Sequence, residues 1–110
     1  MNLQKESLHS LSKHMALIAK TFFDFKGRKS ESFLLSDSKT DDLKHRQNQF
    51  IRHVEETYEE LNAIEQLFIN NDFFYEDYPD WWKRLYTRSQ YIHFKKRAII
   101  HFLRIFYDED

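Results

Sequence analysis

Apolar residues recur near the start of the chain in alternating steps of three and four: Leu8, Leu11, Met15, Ile18 and Phe22. That spacing is the buried stripe of an amphipathic helix, and it predicts a first helix from Leu3 to about Phe25. Ala19 and Phe23 widen the stripe, and Gly27 with the basic residues around it marks the expected end. A second helical pattern follows through Leu43, Phe50, Val54, Tyr58 or Thr57, Leu61, Ile64 and Phe68 to about Ile69. Ser38 or Thr40 can cap it, Asp41 and Asp42 suit its first turn, and Asn70, Asn71 and Asp72 form the expected stop. Between these helices, residues 28–40 are polar and serine-rich, with Phe33, Leu34 and Leu35 expected to fold back onto the bundle.

The aromatic stretch 73–79 is too apolar for a free tether, so Phe73, Phe74 and Tyr78 are expected to pack under the bundle end. Pro79 and Asp80 then predict a short helix from Trp81 to Tyr86. Thr87 and Arg88 make the break, Ser89 is the expected N-cap, and a last helix runs from Gln90 to about Tyr107. Its inward stripe is Tyr91, Phe94, Ala98, Phe102 and Ile105, and from Ile99 onward it is apolar nearly all round. That end is expected to be buried among the other helices or to meet a second copy or another protein.

The pattern predicts an all-α domain, a small helical bundle of about four helices spanning residues 1–110. Residues 1–72 form a two-helix scaffold and 79–107 a helix-turn-helix-like unit. The expected core is Leu11, Met15, Ile18, Phe22, Phe50, Val54, Leu61, Ile64, Phe68, Trp81, Leu85, Phe94, Ala98, Phe102 and Ile105. A single glycine and a single proline agree with long helices over a many-turned β architecture. With no cysteine, disulfides and thiolate chemistry are excluded. The N-terminal stretch lacks a signal-peptide core and no 18-residue apolar run exists, so a soluble cytoplasmic protein without membrane association is expected.

The formal net charge of −1 conceals blocks. Residues 55–80 hold nine acids and no Lys or Arg, whereas 81–107 hold seven Lys or Arg and no acid. Such blocks either complement each other inside the molecule or face a charged partner. Glu55, Glu56, Glu59, Glu60 and Glu65 are accordingly read as a solvated face or as partners of the basic helix.

The run Tyr86-Thr87-Arg88-Ser89-Gln90-Tyr91-Ile92-His93-Phe94-Lys95-Lys96-Arg97-Ala98, followed by Phe102-Leu103, resembles the terminal helix-turn-helix of small phage-type transcription regulators, the ArpU-like proteins. It is also similar in pattern to the promoter-reading end of sigma factors and to small mollicute proteins. Gln90 stands where the ArpU-like pattern often has threonine. The resemblance implies a DNA-binding transcriptional regulator with duplex DNA as partner. It would set Ser89, Gln90 and His93 against base edges, with the Gln90 amide on adenine. Arg88, Lys95, Lys96 and Arg97 would hold phosphates, and Lys83 and Arg84 the flanking backbone.

The alternative is a non-enzymatic interaction module or homodimer using the apolar end of the last helix. Catalysis has little footing: none of the six histidines forms HExxH, and there is no Gly-rich phosphate loop or GxSxG element. No metal or cofactor is expected.

Overall fold

The computed structural model describes residues 3–31 and 38–108, with side chains for 3–27 and 42–108. The chain forms a four-helix, all-α bundle, with no strand among the described residues. The helices are α1 (Leu8–Glu31), α2 (Ser38–Glu60), α3 (Ala63–Ile69) and α4 (Arg88–Phe106). A 3-10 turn, Leu3–Lys5, precedes α1, and a π-helical turn, Asn70–Phe74, follows α3.

The first helix starts later and ends later than its pattern predicts. Ser7 accepts a hydrogen bond from the Ser10 N–H and opens α1, while Leu3 folds into the core from the preceding turn. Gly27 does not stop the helix. It lies in open space with no positive φ, so its only penalty is the modest one of glycine in a helix interior, about 1 kcal/mol. The segment with Phe33, Leu34 and Leu35 falls outside the described residues, as do the side chains of Ser38, Thr40 and Asp41.

The expected second helix is in fact two. Asn62 adopts extended backbone and builds a capping box: its side chain accepts from the Glu65 N–H at 2.8 Å, and Glu65 accepts from the Asn62 N–H at 3.0 Å. This restart resets the helical phase. Ile64, expected in the core, is exposed, and Ile69 is fully buried instead. Asn70 to Asp72 do not end the element either; they widen it into the π-helical turn, closed by the Tyr75 N–H on the Asn70 carbonyl. The wider turn carries Asp72 and Phe73 inward.

The short helix expected over Trp81 to Tyr86 is absent. Successive turns take its place, with Trp81, Lys83 and Leu85 N–H groups each bonded three residues back. Six residues are too few to hold a helix without a buried stripe, and here Leu85 is 64% exposed and Tyr78 77% exposed. Neither joins the core or the bundle end as expected. The helix-turn-helix-like unit therefore lacks its first helix.

Packing follows the ring contacts. Phe25 meets Phe50 while Phe22 and Val54 share a groove, so α2 runs antiparallel to α1. Phe106 lies on Phe50 and His53, and His101 shares a groove with Glu60, so α4 is antiparallel to α2. Leu11, Met15, Val54, Phe68, Ala98 and Phe102 are buried, as their spacing predicts. Phe50, Trp81, Phe94 and Ile105 are half-buried at its margin. Ile51, Ile99, Leu103 and the hydroxyl-bearing Thr57 complete it. Thr57 directs its hydroxyl to the His53 carbonyl at 2.7 Å, which satisfies this buried polar group. The apolar half of α4 is thus covered by its own bundle.

Candidate nucleic-acid interface

The basic segment 81–97 divides into side chains that hold the fold and side chains that face water. Phe68, fully buried, is the hub of the first group. The rings of Trp81, Tyr86, Tyr91 and Phe94 surround it at 5.0 to 5.9 Å. Trp82 stacks on the outer face of Tyr91 at 4.3 Å and 14°. Both tryptophans are therefore fastened by tertiary contacts, without a helix of their own.

Asp72 anchors the same cluster. Its carboxylate accepts from Trp81 Nε1 at 2.8 Å and from the Tyr91 hydroxyl at 2.5 Å, and pairs with Lys95 Nζ at 3.2 Å. The Asp72 side chain is only 6% exposed and that of Lys95 18%. Lys95 Nζ also bonds the Tyr91 hydroxyl and lies over the rings of Phe73 and Tyr91 at 5.3 and 5.4 Å. Burial, then the hydrogen bond to Asp72 and its negative charge, push the Tyr91 phenol well above its ordinary range. Lys95 is thereby engaged inside the molecule, away from any phosphate.

Gln90 is engaged too. Thr87, not Ser89, is the N-cap of α4: its hydroxyl accepts from the Gln90 N–H at 3.2 Å, and Gln90 Oε1 accepts from the Thr87 N–H at 2.9 Å. The carbonyl of the Gln90 amide, needed for bidentate pairing with adenine, is already used. Lys83 pairs with Asp80 at 3.1 Å on the open surface, an interaction of little strength. Lys96 reaches the Gln4 carbonyl at 3.4 Å.

The remaining sequence candidates face outward. Arg84, Arg88, Ser89, His93 and Arg97 are exposed, and none of the three arginines has an ion-pair partner among the described residues. The acidic and basic blocks meet at three points among the described residues, Asp80 with Lys83, Asp72 with Lys95, and Glu65 with the His101 ring at 2.8 Å, and no ion pair joins α2 to α4. Arg104 adds a basic group to the outer face of α4, where it lines open grooves with Glu56, Glu60 and Arg97. Its seven-residue spacing from Arg97 is the signal that assigns it to the same face.

Arg88 occupies the first turn of α4, which holds no acid. The helix dipole places partial positive charge there, so Arg88 reinforces that field where a carboxylate would neutralise it. Nine residues at 3.6 per turn set Arg88 and Arg97 about 180° apart around the axis. The exposed end of α4 therefore carries cations on opposite flanks, with Ser89 and His93 between them.

Among the described residues no cluster of three His, Asp or Glu is placed to hold a metal, and no helix is long and apolar enough to cross a membrane. No family model, curated protein or solved structure matches the chain.

Proposed function

We propose that the protein binds duplex DNA through the exposed N-terminal half of α4, without a preceding helix of the helix-turn-helix kind. The observation that carries this reading is the set of exposed arginines without ion-pair partners among the described residues: Arg84 before α4, Arg88 in its dipole-positive first turn and Arg97 midway along it. Exposed cations without ion-pair partners gain from a polyanion, whose phosphates they neutralise with release of counterions. A helix flanked on two sides by cations suits a major groove about 12 Å wide, bordered by two phosphate backbones. Arg88, Arg97 and Lys96 contact phosphates in this reading, with Arg84 on the flanking strand. Ser89 and His93 face base edges, and Gln90 keeps its capping role. The resemblance of residues 86–98 to ArpU-like regulators supports transcription as the setting.

Duplex-DNA affinity measured across a salt series tests this. Binding weakens steeply with salt, and Arg84→Ala/Arg88→Ala/Arg97→Ala makes the log–log slope shallower by about three. No binding at low salt by folded protein contradicts the reading.

A further inference from the structure

A second surface, apart from the α4 edge, gathers aromatic rings at the junction of α1, α2 and the π-helical turn. Phe22, Phe23, Phe74 and Tyr75 form a chain of ring contacts at 5.3 to 6.2 Å, and Tyr58 joins through Phe74 at 5.8 Å. These rings line an open groove of about 310 Å³ with Val54 at its base. Phe23 and Tyr75 are exposed, so their faces are available.

The rim sets the charge preference. Glu55 and Glu59, one helical turn apart on α2, line the groove, and neither has an ion-pair partner among the described residues. An anion is repelled by this pair, and an apolar occupant strips water from two carboxylates without replacing it. A cation gains from the carboxylates and from the negative ring faces together. The chain supplies its own example: Lys26 Nζ lies over the Phe22 ring at 5.0 Å. The groove is too open to enclose a small ion, which favours an ammonium group carried on a chain that makes further contacts.

We infer that this groove binds a lysine side chain presented by a partner protein, with the aromatic faces and Glu55 and Glu59 receiving its ammonium group and Lys26 competing for the same rings.

Aromatic NMR of the full chain tests this, using an acetylated Gly-Gly-Lys-Gly-Gly amide and the same peptide with norleucine replacing lysine. The lysine peptide shifts the Phe23 and Tyr75 resonances at concentrations where the norleucine peptide does not. Glu55→Gln/Glu59→Gln weakens that binding about two- to fivefold. Lys26→Met strengthens it about two- to fivefold by removing the internal competitor. Equal shifts from the norleucine peptide overturn the inference in favour of plain apolar docking. Methylammonium binding as tightly as the lysine peptide overturns the partner-protein source. DNA binding is unchanged by the Glu55 and Glu59 substitutions, so this inference and the α4 reading fail separately.

Discussion

Two of the molecule's aromatic clusters have a lysine ammonium over a ring face. Around Phe68 the cluster is closed: Lys95 lies against Phe73 and Tyr91, and the buried carboxylate of Asp72 neutralises it. Around Phe22 and Phe74 the cluster is open: Lys26 lies over Phe22, and the nearby Glu55 and Glu59 remain in water. The ingredients are the same and the burial differs. In the closed cluster, the cation, the carboxylate and the donors of Trp81 and Tyr91 satisfy one another, so the group acts as a fastening for α4. In the open cluster the charges are screened and contribute little to stability, which leaves them available to an external ligand.

That contrast is broken most directly at its centre. Phe68→Ala empties a site surrounded by four rings and is expected to cost about 3 to 5 kcal/mol, read as a lowered urea midpoint. A loss below about 1 kcal/mol contradicts a hub role for Phe68. A smaller effect separates the two proposed caps of α4. Thr87→Ala is expected to cost about 1 kcal/mol, because it removes the acceptor of the Gln90 N–H, while Ser89→Ala stays within about 0.5 kcal/mol. Smallest of all is Tyr75→Ala in the open cluster, expected within about 0.5 kcal/mol of the parent. A cost comparable to that of Phe68→Ala would make the open groove a structural element and erase the distinction.

The long stripes of α1 and α4 were legible in the sequence because local periodicity and final burial coincide there: Leu11, Met15 and Ile18 are core, as are Ala98 and Phe102. Where a cap interrupts a long apolar pattern, periodicity misleads. The pattern through Leu61 and Ile64 reads as continuous, yet Asn62 and Glu65 hold the N-x-x-E spacing of a capping box that restarts the helix and moves Ile64 into water. T-x-x-Q at Thr87 and Gln90 is the same device, and it explains why Ser89, an equally good cap by type, is not used. The role of Asp72 had no local signature. Its partners Trp81, Tyr91 and Lys95 lie nine to twenty-three residues away, so only tertiary packing separates Lys95 from its neighbours Lys96 and Arg97. In the sequence those three cations are indistinguishable.

The central claim is that burial divides these cations into a structural one and exposed ones that are free for DNA. The decisive measurement is the salt slope of duplex-DNA binding for two variants side by side, each confirmed helical by circular dichroism. Asp72→Asn/Lys95→Met removes the buried pair while keeping one oxygen acceptor for the Trp81 indole N–H and presenting an amide N–H to the Tyr91 hydroxyl oxygen, and Arg97→Met removes one exposed charge. The account predicts an unchanged slope for the first and a slope shallower by about one for the second. A shallower slope for the Lys95 variant, with Arg97→Met unchanged, contradicts it.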